Sequence, residues 1–212
     1  ILSVYFVFDK SNLYDRLARV WEHSAKKHNP DARVELKEAP PLERDGRRKD
    51  SWNYNDYKLQ IWVEELKKSD EPTIVMDADM LVIGDMSGMF DQDFDICYTA
   101  RTKTRSRFAF NGGVLAFRPS AKVFGFLERW AKQDAYMYAN PAMHMPFRTR
   151  YGGMNQASFG YMLERDKHGL KIVSEPCLKY NLCDEEWHCI NDETKAIHIK
   201  GNLRRAVFGA PL

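Results

Sequence analysis

Apolar residues in this chain fall into two patterns, short continuous runs and longer stretches with a single apolar face. The short runs predict strands of a mostly parallel sheet, because such strands are buried on both faces. The predicted strands span residues 2–8, 34–36, 73–83, 95–100, 114–117, 172–173 and 196–199. Between them, apolar residues at helical spacing predict amphipathic helices.

The helical spacing occurs in four places. The first helix follows a capping Ser11 or Asn12, the second spans residues 54–68, the third begins after Ser120, and the fourth lies near 154–162. Strands that alternate with helices imply an α/β fold, with a mostly parallel central sheet flanked by helices. In such sheets, ligands bind at the carboxyl ends of the strands.

The strand predicted at residues 73–83 contains two carboxylates, in Asp77-Ala78-Asp79. An unpaired charge buried in such a strand is costly, so these carboxylates need a partner. At the end of a central strand, the natural partner is a divalent cation that also holds a phosphate. A solvated turn is the alternative, but the flanking residues lack the Gly, Pro or Asn typical of turns. The motif therefore indicates chemistry on a nucleotide diphosphate.

The composition narrows the class of protein. With 212 residues, of which 44% are hydrophobic, the chain is long enough for one α/β domain with a core. A net charge of +2 is too balanced to indicate a nucleic-acid or membrane partner, and no apolar run could span a bilayer. The first residues lack the features of a signal peptide, and an anchor or a further domain could precede Ile1.

The cysteines carry less information. Cys177, Cys183 and Cys189 recur at intervals of six, but structural zinc sites usually contain a closer pair. We expect free buried thiols, with a zinc site or, in a secreted protein, disulfides as the alternatives.

Two other motifs also begin with an acidic pair after a strand. Phosphatases of the haloacid dehalogenase type have the pair near the N-terminus, followed by Thr or Val, whereas here Met80 follows a pair in mid-chain. A calcium-binding loop requires a third ligand and a Gly farther on, where this chain has Leu81 and Val82. Both motifs match the sequence less well than a metal–diphosphate site does.

Two further segments carry candidate binding residues. In Phe110-Asn111-Gly112-Gly113, the glycines allow close approach of a ligand or a strand, and the Asn amide can bond sugar hydroxyls. His198-Ile199-Lys200-Gly201 ends the last strand and leads to Arg204 and Arg205, a pattern that could supply a metal ligand and diphosphate contacts. Considered separately, the first segment is explained equally well by a tight turn, and the second by a structural His.

In this order, the three segments resemble metal-dependent glycosyltransferases of the GT-A fold, most closely those of family 8, over nearly the whole chain. The family has a helix with Tyr and a basic residue before its Asp-x-Asp, where this chain has Tyr57-Lys58. An Asn-x-Gly segment follows, matched by residues 111–113. Near the end come His, Gly three residues later and a cation after three more, matched by His198, Gly201 and Arg204. A weaker resemblance is to a glycosyltransferase domain encoded by a chlorovirus.

The resemblance implies a role for each matched residue. Manganese, or magnesium in its place, would be bound by Asp77, Asp79 and His198. A uridine diphosphate sugar would be bound by residues of the three segments, of the first strand and of the helix predicted at residues 54–68. These are Phe8 and Asp9 at the uracil and ribose, Gly201 and Arg204 at the diphosphate, and Lys58, Asp77, Ala78, Asn111 and Gly112 elsewhere on the donor.

One position departs from the family pattern. The family has Asp-Gln on a helix that faces the donor sugar, and this chain has Asn155-Gln156. Asn155 and Gln156 remain the candidate catalytic residues, but without the carboxylate the family's retention of anomeric configuration does not carry over. An inverting enzyme needs a general base. The unassigned carboxylates late in the chain are Asp184, Glu185, Glu186 and Asp192.

The sequence thus predicts a single GT-A domain over residues 1–212, alone or within a longer protein, that transfers a sugar from a UDP-sugar to a glycan or glycoconjugate. The alternatives are a catalytically silent domain that binds nucleotide sugars or glycans, a metal-dependent phosphatase and a sugar nucleotidyltransferase. The last would carry a Gly-rich basic loop where this chain has Asp9-Lys10-Ser11-Asn12. We expect no nucleic-acid partner and a cytoplasmic location, in a host cell for a viral protein, or a luminal one if an anchor was removed.

Overall fold

The computed structural model describes residues 1–6, 13–40, 50–101, 108–165, 169–183 and 186–208. The strands are β1 (Leu2–Tyr5), β2 (Glu35–Glu38), β3 (Thr73–Asp77), β4 (Met80–Val82), β5 (Ile96–Ala100), β6 (Phe110–Phe117), β7 (Ile172–Pro176) and β8 (Ala196–His198). The helices are α1 (Leu13–His28), α2 (Asp50–Leu66), α3 (Ala121–Ala139), α4 (Pro141–Tyr151), α5 (Asn155–Arg165), α6 (Cys177–Tyr180) and α7 (Gly201–Phe208). The end of the first predicted strand and the cap predicted at Ser11 or Asn12 lie outside the described residues.

Six strands form one sheet, in the order β2-β1-β3-β6-β5-β7. The strand β6 is antiparallel to both of its neighbours, and the remaining pairs are parallel. The other five strands therefore run in one direction, and the predicted α/β fold with a mostly parallel central sheet is confirmed.

Helices cover both faces of this sheet and create two layers of core. On one face, Trp62, Phe126 and Phe159 belong to a cluster built by α2, α3 and α5. On the other face, Trp21 of α1 is buried with Met76 of β3. Successive residues of β3 and β6 alternate between the two clusters, as the pleat of a central strand requires.

Several boundaries differ from the predicted ones. The predicted strand 73–83 is two strands, because the chain turns at Ala78 and Asp79 between β3 and β4. The strand β6 begins at Phe110, so the paired glycines lie inside a strand rather than before one. The helix α4 was not predicted because Pro146 lies within it and its apolar residues are not confined to one face.

The short strand β4 leaves the main sheet and pairs with β8 in an antiparallel ribbon. Met80 is opposite His198, and the Ile199 N–H donates to the Asp79 carbonyl at 2.7 Å. The His198 N–H donates to the Leu182 carbonyl at 2.8 Å. These backbone bonds fix the end of β8 beside the turn that follows β3, although the two segments are far apart in sequence.

All four cysteines are free thiols, as expected, with three of them buried. Among the described residues, no cysteine belongs to a group of three or more potential metal ligands. None of the described helices combines the length and the apolar character needed to cross a membrane.

A buried acidic pair connects the helices on one face of the sheet. Asp134 of α3 is fully buried and accepts a hydrogen bond from the Ser158 hydroxyl of α5. Asp134 Oδ2 and Asp56 Oδ1 of α2 are both buried without a hydrogen-bond partner among the described residues, and the other oxygen of Asp56 accepts from Gln60 at 3.0 Å. The two carboxyls also affect each other's pKa. Burial raises the pKa of both carboxyls, and that of Asp134 well above its ordinary range. The pair therefore holds a proton at pH values where an exposed Asp is ionised.

This proton gives a stability prediction. Above the ordinary pKa of Asp and below the raised one, the folded protein binds a proton that the unfolded chain has released, so the free energy of unfolding falls as pH rises. Asp134→Asn removes that dependence and should gain stability relative to wild type as pH rises from about 4 to about 8. Urea unfolding at several pH values measures this difference, with Asp70→Asn, at an exposed position, as the control. A difference that does not change with pH would contradict the shared proton.

Candidate functional site

The candidate site lies at the carboxyl edge of the sheet, where β3 and β8 end. Asp77 is the last residue of β3, Asp79 lies in the turn that follows, and His198 ends β8. One potential ligand atom from each of these residues lies within 4.8 Å of the other two. No other such group occurs among the described residues. The structure thus brings together the three residues predicted to bind the metal, and we refer to them as the Asp-Asp-His cluster.

Each carboxylate in the cluster directs one oxygen to His198 and the other to a cation. His198 Nε2 lies 3.1 Å from Asp79 Oδ1 and 3.7 Å from Asp77 Oδ2. Lys58 Nζ of α2 donates to Asp77 Oδ1, and Arg204 of α7 donates to Asp79 Oδ2. The cations thus hold the outer oxygens, and the inner oxygens and the imidazole face a common point.

The orientation of His198 is set by an amide behind it. Asn181 Oδ1 lies 3.0 Å from His198 Nδ1, and the Asn181 amide nitrogen donates to Thr99 Oγ1 at 2.8 Å. Since the amide oxygen is the acceptor, Nδ1 carries a hydrogen, and Nε2 is the nitrogen that faces the carboxylates and would bind a metal. Sequence reasoning missed Asn181. The only local signal was a polar residue between Tyr180 and Leu182, both of which are buried.

Gly113 of β6 allows His198 to lie against the strand. A Cβ atom at this position would be 2.7 Å from His198 Cε1 and 2.8 Å from Nδ1, closer than such atoms can approach. The neighbouring Asn111 accepts from the Gly113 N–H at 2.8 Å and donates to Cys183 Sγ at 3.2 Å. Asn111 also accepts from the Asn181 amide at 3.3 Å, so its side chain supports the cluster indirectly.

The surroundings keep Asp79 ionised. Burial by itself raises the pKa of this carboxyl. The lowering effects are larger in total, and they come from the charge and hydrogen bond of His198 and from the charges of Arg204 and Lys200. The pKa of Asp79 therefore lies well below its ordinary range. An ionised carboxylate beside an imidazole nitrogen is an arrangement that can bind a cation.

The spacing of the cluster fits a divalent metal. In an octahedral site with bonds of about 2.1 Å, neighbouring ligand atoms are about 3 Å apart and opposite ones about 4.2 Å. The observed separations of 3.1 and 3.7 Å lie in this range. Carboxylate oxygens suit manganese and magnesium, and an imidazole nitrogen is compatible with manganese.

The candidate catalytic residues lie on a different face of β6. The Gln156 amide accepts from the Gly112 N–H at 3.0 Å and donates to the Phe110 carbonyl at 2.8 Å. Asn155 is buried, and its amide donates to the Asn55 carbonyl at 3.4 Å. Adjacent residues of a strand face opposite sides, so Gln156 lies beside Gly112 while the cluster lies beside Gly113. The structure therefore does not join this pair to the cluster.

Some of the predicted site residues lie outside the described part of the chain. Phe8 and Asp9 lie outside the described residues, as do Asp184 and Glu185. Of the other unassigned carboxylates, Asp192 is exposed. Glu186 is buried, and neither of its oxygens has a hydrogen-bond partner in the part of the chain that the structure describes.

The donor-binding prediction also included residues next to the cluster. Ala78 is buried in the turn between Asp77 and Asp79. Gly201 begins α7 with a φ of 54°, a left-handed conformation that favours glycine. This turn directs α7 back over the end of β8, where Arg204 reaches Asp79.

Neither a protein-family model nor a curated protein matches this sequence. Solved structures match its fold. A glycosyltransferase involved in the glycosylation of the major capsid of PBCV-1 has a TM-score of 0.65 and 12% identity, over 94% of this chain and 92% of that one. The galactosyltransferase LgtC, in complex with donor and acceptor sugar analogues, has a TM-score of 0.53 and 11% identity, over 95% and 87%.

A third match is the glycosyltransferase GlyE of Streptococcus pneumoniae TIGR4, with a TM-score of 0.55 and 12% identity. It covers 94% of this chain, which spans 54% of that protein. At these identities the likeness shows the fold. The chain has the GT-A-like fold of these glycosyltransferases, as the sequence resemblance implied.

The glycines of β6 provide a matched test of the cluster. Gly113→Ala should displace the imidazole and weaken binding of Mn²⁺ about ten-fold or more, as expected when the partners of a metal ligand are disturbed. Gly112→Ala should bind Mn²⁺ like wild type, because its Cβ would meet only Gln156, at an ordinary 3.8 Å. Calorimetric titration with Mn²⁺, with thermal unfolding to confirm the fold, measures both. Equal affinities for the two variants would show that His198 does not bind the metal.

Proposed function

We propose that this chain is a glycosyltransferase that moves a sugar from a uridine diphosphate donor to a glycan or glycoconjugate acceptor. The observation that carries the proposal is the Asp-Asp-His cluster, at the edge of the sheet where ligands of α/β folds bind. The fold supports it, because the three matched structures described above are of glycosyltransferases. The whole chain would act as one GT-A domain.

In the proposed reaction, the bond between the anomeric carbon and the diphosphate breaks, and its electron pair stays on the phosphate oxygen. An acceptor hydroxyl forms the new glycosidic bond, and its proton is released to solvent. A manganese ion, or magnesium in its place, would neutralise the charge that develops on the leaving diphosphate. Asp77, Asp79 and His198 would hold this ion through the inner oxygens and Nε2.

Other residues of the chain would prepare the site. Lys58 and Arg204 hold the two carboxylates in place through their outer oxygens. Asn181 maintains the tautomer of His198 that leaves Nε2 free to bind a cation. Asn111 would act on the donor indirectly, through Asn181 and His198, and Gly112 would lie on the side of Gln156. Residues 8–9 would face the uracil and ribose.

One observation favours a second function, a catalytically silent domain that binds nucleotide sugars. Asn155 stands where the resemblance expects a carboxylate, and the Gln156 amide is bonded to backbone groups on the other face of β6. Incubation with labelled UDP-sugars and a panel of glycan acceptors distinguishes the two functions. Labelled product supports the transferase, and donor binding without turnover supports the silent domain.

We expect uridine diphosphate to bind only in the presence of a divalent cation. Although Lys58 and Arg204 balance the outer carboxylate oxygens, the inner oxygens face the point where the diphosphate would lie and repel it there unless an ion lies between them. Calorimetric titration of UDP with Mn²⁺, with Mg²⁺ and with excess chelator tests this directly. Asp79→Asn should abolish the metal-dependent gain in UDP affinity, whereas Asp192→Asn, at an exposed position, should retain it. Equal affinity of the wild-type protein for UDP with and without the chelator would refute the proposed donor site.

A further inference from the structure

The guanidinium of Arg204 is fully engaged within the protein. Its Nε donates to the Ile199 carbonyl at 3.1 Å, one terminal nitrogen donates to the Tyr14 hydroxyl at 2.9 Å, and the other donates to Asp79 Oδ2. Arg204 also lies over the Tyr14 ring, 5.1 Å from its centroid. All three nitrogens therefore have partners, and the charge is matched by the partly buried Asp79 carboxylate.

Lys200, in contrast to Arg204, has a side chain without such partners among the described residues. It lies two residues after His198, and its backbone N–H donates to the His198 carbonyl at 3.0 Å. Its side chain is partly buried, yet its ammonium group has no hydrogen bond or ion pair among the residues that the structure describes. Lys200 is thus a cation beside the cluster, and its donors have no partner in the described part of the chain.

The balance of charges at the site indicates what the Lys200 ammonium group could bind. The two carboxylates of the cluster are matched by two cations, Lys58 on Asp77 and Arg204 on Asp79. Lys200 adds positive charge beyond this balance, and a divalent metal would add more. A partly buried site with surplus positive charge favours an anion, and a diphosphate is the anion that the proposed function supplies.

We propose that Lys200 contacts the diphosphate of the donor, and that Arg204 is a positioning residue that holds Asp79 for the metal. The proposal rests on the proposed function, and it assigns to Lys200 the side-chain contact to the diphosphate that the sequence pattern gave to Arg204. The turn at Gly201 makes the division possible, because it directs Arg204 back onto Asp79 and Ile199. Lys200, which comes before the turn, is left beside the cluster.

The experiment separates metal binding from anion binding. With Mn²⁺ at saturating concentration, Lys200→Ala should weaken binding of UDP about ten- to a hundred-fold, the usual effect of losing a hydrogen bond to a charged group. Inorganic pyrophosphate should show a similar loss, because the contact is to the phosphates. Lys200→Arg should restore most of the affinity. Affinity for Mn²⁺ alone should not fall in either variant.

Arg204→Ala should give the reverse result. Its affinity for Mn²⁺ without nucleotide should fall about ten-fold or more, because Asp79 loses the partner that orients it. Once Mn²⁺ saturates the variant, its affinity for UDP should be close to that of wild type. Lys122→Ala, at an exposed position on α3, serves as the control and should match wild type in both titrations.

Each outcome decides the assignment. If Lys200→Ala binds UDP like wild type, or if Arg204→Ala or Arg205→Ala causes the larger loss at saturating Mn²⁺, the assignment of Lys200 is wrong while the proposed function stands. If wild-type protein binds neither UDP nor pyrophosphate with Mn²⁺, the proposed function and the assignment are both overturned. Thermal unfolding of each variant shows whether a loss reflects a disrupted fold.

Discussion

The negative charge of the partly buried Asp77 and Asp79 is the constraint on which the rest of the site depends. Two carboxylates that are largely removed from water at the end of a central strand must be balanced, since uncompensated charge there would be very costly. The balancing groups come from three separate elements, Lys58 from α2, His198 from β8 and Arg204 from α7. The acidic pair therefore organises this edge of the fold as well as offering a place for a metal.

This balance of charges leaves three potential ligand atoms available for a divalent ion. The two cations bind the outer carboxylate oxygens, so the inner oxygens and the lone pair of His198 still face each other. A metal at that point would complete the arrangement without displacing Lys58 or Arg204. The protein can thus hold its ligands in position before the metal arrives, and preorganisation of this kind reduces the cost of binding.

Much of the architecture could be predicted from the sequence, because buried strands and amphipathic helices leave strong local patterns. The acidic pair and His198 could be predicted as one site through the ordered resemblance, and the structure brings them together. The division of residues 73–83 into two strands could not be predicted, because both parts are apolar. Only the pairing of β4 with β8 distinguishes them. Asn181 and the partners of Arg204 were also missed, because contacts between distant segments leave no periodicity in the chain.

Diffraction from crystals soaked with Mn²⁺ and UDP, collected near the manganese absorption edge, tests the central claim most directly. The account predicts one strong anomalous peak between Asp77 Oδ2, Asp79 Oδ1 and His198 Nε2, in contact with the diphosphate. A peak elsewhere, or UDP bound at this edge without manganese, would contradict the assignment of the cluster as the metal site.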